Sequence, residues 1–233
     1  IVIARNVRKG QFDQKVRVVS NDELGIMGEG MNAMTDGLIE RDRLRRGLYL
    51  AQEIQQALLP RECPAIDGLD IAARSLYCDE TGGDYFDFIG NDNKQLNAVI
   101  GDVSGHGISS AILMASVRAF LRQRAHLPGN LSRMMSDVNR QLLNDVEDSG
   151  NFMTLFYLRL DPAQRCLSWI RAGHDPAIFY NPISDRFNDM HGKGLALGID
   201  GQAVFEENKK TGLTPGQIIV LATDGVWEAC NKE

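Results

Sequence analysis

The sequence predicts an α+β protein built in layers, preceded by a long helical segment. Three observations lead there. Residues 1–59 contain no proline and carry apolar residues at helical spacing. Pro60 and Pro64, in LLPRECPAIDG, then end that pattern and mark a domain boundary. Beyond them come strand-like alternations, then two helical patterns, then strand-like runs again. That order suits stacked layers of sheet and helix rather than a repeated βαβ unit.

In the first segment, Leu24, Met27, Met31, Met34 and Leu38 follow the three-and-four spacing of a coiled-coil seam. Leu44, Leu48, Ala51, Gln55 and Leu58 continue it only after a six-residue step, a stammer that locally overwinds such a coil. This predicts a parallel homodimer joined through residues 1–58; an amphipathic helix packed on its own domain is the alternative. After the prolines, apolar alternation predicts strands at 69–77, 84–89 and 95–101. Helices follow at 107–125, with Ile108, Ile112, Ala115 and Ala119 on one face, and at 131–147, with Leu131, Met134, Val138 and Leu142. Strands return at 152–160, 166–172, 176–180, 203–208 and 217–222.

The chain has 233 residues, 43% of them hydrophobic and 24% charged, which describes a globular protein with a substantial core. Its net charge of −6 is unevenly placed: residues 1–62 hold 10 basic and 9 acidic side chains, residues 63–233 hold 15 and 22. The acidic second part argues against nucleic acid or an anionic membrane as partner and suits a site that gathers carboxylates around cations. Cys63, Cys78, Cys166 and Cys230 stand alone, without a Cys-x-x-Cys pair. Structural zinc and a disulfide framework are therefore unsupported, and a reducing cytoplasm is the natural compartment. No run approaches the roughly 18 apolar residues of a membrane span. The chain opens on IVIARNVRKG without an initiator methionine, and is expected to be a piece of a longer protein.

The candidate chemistry lies at strand ends. Asp84 follows two glycines in TGGDYFDF, Asp102 ends the strand NAVIGD, and Asp224 ends GQIIVLATDG. A carboxylate placed directly after a buried strand is held rigidly, and a neighbouring glycine lets a ligand or another backbone approach. Asp-Gly is also ordinary turn chemistry, which is the competing explanation. If the three converge, their mutual repulsion calls for a hard divalent cation, and all-oxygen ligation selects Mg²⁺ or Mn²⁺ over zinc. Two such ions suit phosphate hydrolysis, clamping the phosphate and activating a water. No Cys-x₅-Arg offers a thiol route.

Two resemblances follow from these motifs. The stretch VSNDELGIMGEGMNAM, with KGQFDQKV before it, resembles the second half and connector of a HAMP module, a parallel dimeric helical device between membrane sensors and cytoplasmic outputs. GGDYFDF, GDVSGHG, AGHDPA and TDGVWE resemble, in order and spacing, the SpoIIE-like branch of the metal-dependent PPM protein phosphatases. LAQEIQQALLP is similar to the segment that precedes this domain in RsbU-like regulators of sigma-factor pathways. The resemblance implies a partial HAMP module at 1–38, a coiled-coil linker at 39–63 and a phosphatase domain at 64–233. It implies an antiparallel β-sandwich flanked by α-helices. Its implied substrate is phosphoserine or phosphothreonine on a STAS-type anti-sigma-antagonist protein.

Carried across by motif, Asp84, Asp102, the Val103 carbonyl and Asp224 would hold two Mn²⁺ or Mg²⁺ ions. Gly105 and Gly107 would permit the tight turn into the helix at 108, with Ser109 and Ser110 as first-turn residues. Asp87 alternates away from Asp84 and is left out. His106 is assigned a loop-stabilising hydrogen bond, His174 a structural role, and His126 and His191 the surface. The resemblance also implies a cytoplasmic domain of a protein anchored in the inner membrane upstream of residue 1. Family members continue past this point with a further strand pair carrying another aspartate, so the site is expected to be incomplete here. Two alternatives stand beside this: a catalytically inactive dimeric signalling module that only binds a partner, and a diguanylate cyclase. The cyclase is disfavoured because GGDYFDF lacks that loop's glutamate.

Overall fold

The computed structural model describes residues 6–7, 11–12, 14–76, 82–90, 94–146 and 149–228. Cys78, Cys230, Tyr77 of the strand expected at 69–77, and the segment after Glu228 lie outside the described residues. The chain divides into two compact units, Ile1–Glu53 and Ile54–Glu233.

The first unit is organised by helix α1 (Glu23–Leu58), which also runs into the second. Asp22 caps its start: its carboxylate accepts hydrogen bonds from the backbone N–H of Leu24 (3.1 Å) and Gly25 (3.2 Å). Residues 14–20 are not helical, although the whole of 1–59 carries a helical pattern. Asn32 explains this locally, because its side chain pairs with both backbone groups of Val16, at 2.8 and 2.9 Å. Lys15 meets Asp36 at 2.8 Å beside it. The seam residues Leu24, Met27 and Met34 are 71%, 72% and 67% exposed in the single chain.

The second unit is a sandwich. Strands β1 (Tyr85–Phe88), β2 (Leu96–Val103), β3 (Met153–Asp161), β4 (Cys166–Ala172) and β7 (Asn208–Thr211) form one antiparallel sheet in the order β1-β2-β3-β4-β7. Strands β5 (Ala177–Asn181), β6 (Arg186–Met190) and β8 (Ile218–Val220) form the other, ordered β6-β5-β8. Alternation along β2 and β3 sends Ala98, Phe156 and Leu158 between the sheets, where they meet Ala177, Phe179 and Met190. Val99, Val103, Leu155 and Tyr157 point the other way, against helices α2 (Ile108–Ala125) and α3 (Leu131–Val146).

Several expectations need correction. Residues 69–76 form no strand; Leu69 and Ile71 pack on the inter-sheet core from an irregular segment. The strand expected at 203–208 lies at Asn208–Thr211, while Phe205 is a buried loop anchor. Strand β6 was unforeseen because its sequence, RFNDM, is polar and four of its five residues are exposed at a sheet edge. In α2 the buried face is Ser110, Met114, Val117 and Leu121; Ile108 and Ile112 are 48% and 61% exposed. Both faces of α2 carry apolar residues, so period alone could not choose, and packing on the sheet did. Helix α3 buries Leu131, Met134, Val138 and Leu142 as its pattern requires, and Asn130 caps it through the N–H of Arg133 at 2.9 Å.

Candidate metal centre

The site is built where strands from both sheets end. In the β1–β2–β3 ladder, Tyr85 pairs with Gly101 and Asp102 pairs with Thr154, which brings the start of β1 beside the end of β2. The Gly82–Gly83 segment before Asp84 runs against this end: the Val103 N–H donates to the Gly83 carbonyl at 3.3 Å. A Cβ on Gly83 would stand 2.5 Å from the Val103 carbonyl oxygen and 2.9 Å from a carboxylate oxygen of Asp102. Only glycine leaves that space open, and the two oxygens facing it are a backbone carbonyl and a carboxylate. Gly105 and Gly107 then turn the chain with φ of 84° and 82°, a region costly for other residues. Ser110 sits in the first turn of α2, its hydroxyl donating to the Gly107 carbonyl at 2.8 Å.

Asp224 arrives from the second sheet, opening the short 3₁₀ turn Asp224–Val226 after β8. The three aspartates feel one another. Burial raises Asp84 above the ordinary carboxylate range and the charge of Asp224 adds to it, while a hydrogen bond from the Thr223 side chain lowers it. Asp102 is pushed up to about 6, first by burial, then by the charges of Asp84 and Asp224. The fold thus brings the sequence-predicted carboxylates into one electrostatic neighbourhood. Among the described residues, however, no three His, Cys, Asp or Glu side chains group closely enough to hold an ion.

Asp102 and Asp224 line an open cleft of ≈ 410 Å³ together with Thr154, His174, Asp175 and Phe152. Asp175 is a lining carboxylate that the strand-end pattern does not single out. His174 is buried, 4% exposed, bonded to Thr154 and to the Ala222 carbonyl. His106 is exposed, and among the described residues the expected loop hydrogen bond is not formed. Gln55 was assigned to a coiled-coil seam, but is buried. Its amide donates to the Gly82 carbonyl at 2.5 Å and accepts from the Gly82 N–H at 3.3 Å. Asp87 is fully buried away from the cleft, where Arg122 holds it at 2.6 and 2.7 Å.

The donor set fits a hard divalent cation: carboxylates that repel one another, a backbone carbonyl beside one of them, and a gap kept clear by glycine.

Comparison with known proteins gives the fold class first. The SiaA-PP2C domain of Pseudomonas aeruginosa superposes with a TM-score of 0.63 at 18% identity, over 80% of this chain and 74% of that one, so the fold is of the PP2C type. Residues 92–233 match the family Stage II sporulation protein E (SpoIIE), and the chain belongs to that family. Residues 3–40 match the HAMP domain. Phosphoserine phosphatase RsbU of Bacillus subtilis (strain 168) is 30% identical over 193 residues, 83% of this chain and 56% of RsbU. Phosphoserine phosphatase RsbP of the same organism is 26% identical over 188 residues, 79% of this chain and 46% of RsbP. The chain thus spans about half the length of these curated relatives.

Proposed function

We propose that residues 64–233 form the phosphatase output domain of a signalling protein, removing phosphate from phosphoserine or phosphothreonine on a STAS-type partner. Residues 1–38 serve as a partial HAMP module and 39–63 as a coiled-coil linker. The observation that carries the reading is the shared field of Asp84, Asp102 and Asp224, in which burial and like charge raise two of the three. Such a cluster in a family with phosphoserine phosphatases points to a cation that relieves the repulsion.

Asp84, Asp102, Asp224 and the Val103 carbonyl are the groups that would hold it. Two Mn²⁺ or Mg²⁺ ions bound there would offset the charge of a phosphate and lower the pKa of a water. The chain's own contribution is placement: Gly83 keeps the space beside Asp102 and Val103 clear. The Thr223 hydroxyl steadies Asp84, and the cleft beside Phe152 leaves room for a phosphorylated side chain. The exposed stripe Leu24, Met27 and Met34 supports a parallel homodimer through the N-terminal helices. No described helix is long and apolar enough to cross a membrane. The HAMP match supports a cytoplasmic domain whose parent is attached to the inner membrane.

The test is phosphate release from a phosphoserine protein substrate with Mn²⁺, with Mg²⁺ and with chelator. Release that requires either metal is expected from the full-length parent protein. Undiminished release under chelation would overturn the mechanism, and none with either metal would leave the binding-only module.

A further inference from the structure

His174 lies between the two strand ends that carry Asp102 and Asp224, and its surroundings determine how its ring is protonated. Its Nε2 stands 3.2 Å from the carbonyl oxygen of Ala222. A carbonyl only accepts, so Nε2 must carry the proton. In a neutral ring Nδ1 is then an acceptor, and the Thr154 hydroxyl, 2.9 Å away, must be the donor to it. The ring is 4% exposed, and burial holds its pKa below the ordinary histidine value, in keeping with the neutral form.

Both partners connect to aspartates. Thr154 is the register partner of Asp102 across the β2–β3 ladder, so the backbone that presents the hydroxyl to Nδ1 is paired with the backbone that carries Asp102. Ala222 is two residues before Asp224, and Thr223 between them bonds Asp84 through its side chain. β3 and β8 belong to different sheets, so no ladder hydrogen bond spans the gap that the imidazole spans. Asp224 itself is exposed, in a three-residue turn with little packing to hold it.

We propose that His174 is a positioning residue: as the Nε2–H tautomer it ties the Asp224 turn to the Asp102 strand and so sets the spacing of these carboxylates toward a divalent cation. This rests on the cation-binding reading above. Its form is that of an outer-shell group, acting through the backbone that carries a ligand rather than on the ligand itself.

Two variants separate the roles of the two nitrogens. His174→Asn leaves an acceptor where Nδ1 stood and nothing toward Ala222; His174→Gln returns an N–H donor near the Nε2 position. Both lose the ring's volume, so a purely packing role would lower thermal stability and Mn²⁺ affinity in parallel in the two. The expected result is a Mn²⁺ affinity, by calorimetry, at least about tenfold weaker in His174→Asn and within about threefold of the unmodified chain in His174→Gln. Amide exchange at Trp227 and Glu228, which donate to the Asp224 carbonyl at 3.0 and 2.9 Å, should quicken in His174→Asn alone. ¹⁵N NMR of the unmodified ring should show the Nε2–H tautomer. An Nδ1–H tautomer, or equal behaviour of the two variants in exchange and affinity, overturns the proposal. If the unmodified chain binds no Mn²⁺ at all, the cation-binding reading fails instead, and the tautomer and exchange measurements still decide whether His174 ties the two strands.

Discussion

Asp84 and Asp87 stand three residues apart around one strand and meet opposite environments. Asp87 is fully buried and compensated. Arg122 grips both its oxygens, Arg118 Nε lies 3.7 Å from it, and the Tyr85 hydroxyl donates at 3.0 Å. Asp84 is half-buried, and the charge that acts on it most is that of another carboxylate, Asp224. Strand alternation separates the two. The difference teaches that Asp87 has its counter-charge within the chain, whereas Asp84 is left with burial and like charge.

Breaking the compensated end should have the largest effect. Asp87→Asn preserves shape but leaves the two arginines facing a neutral group, and should cost about 3–5 kcal/mol in urea unfolding, as removing one partner of a buried ion pair does. A loss below about 1 kcal/mol would show that the arginines find other partners. Asp102→Asn tests the other end. It should lower metal-dependent phosphate release at least about a hundredfold, or about 2.7 kcal/mol of barrier, while leaving the metal-free fold as stable or more so. Opposite signs on stability for two Asp→Asn changes would sharpen the contrast; equal losses would dissolve it.

The pH dependence follows from the same difference. The folded-state pKa of Asp102, about 6, lies above its ordinary 3.8. The folded protein therefore holds this proton more tightly than the unfolded chain does. The stabilisation is complete below the unfolded value and is lost as pH rises through about 6. Comparing unfolding midpoints of the unmodified chain and Asp102→Asn in chelator should show the former losing about 1 kcal/mol relative to the latter between acid and neutral pH, after screening by water. Saturating Mn²⁺ should flatten that difference. His174 is common to both chains, so its opposite tendency cancels.

The smallest effect belongs to a carboxylate that is compensated at the surface. Asp137 accepts from Arg124 at 2.7 Å and pairs with Arg140, and these bonds hold its pKa below the ordinary range. Asp137→Asn should change stability by less than about 1 kcal/mol, and high salt should erase most of that. A larger loss would place exposure, rather than compensation, second in importance.

Much of this was legible in the chain. The proline break after α1, the stripe of α3, and aspartates at strand ends beside glycine each depend on a few neighbouring residues. The elements that escaped were those whose partners lie far off. β6 is polar because an edge strand buries only one face. The segment at 69–76 keeps apolar residues for packing without a ladder partner. Gln55 satisfied a heptad position and turned out to hold Gly82, with no local signal to distinguish the two. The exclusion of Asp87 from the cleft was read correctly from the period of two, but its arginines were not, since they sit a helix away.

The sequence by itself determined the broad succession of a long helix, strands, two helices and strands again, the turns that need glycine, and the all-oxygen chemistry of the candidate ligands. These follow from backbone sterics, side-chain period and donor type, which act within a turn or a pleat. Tertiary structure alone decided which face of α2 is buried and that two sheets deliver their aspartates to one field. It also decided that His174 is a donor toward Ala222. Each of these is set by groups tens of residues apart, whose distance, desolvation and charge exist only once the sheets have packed.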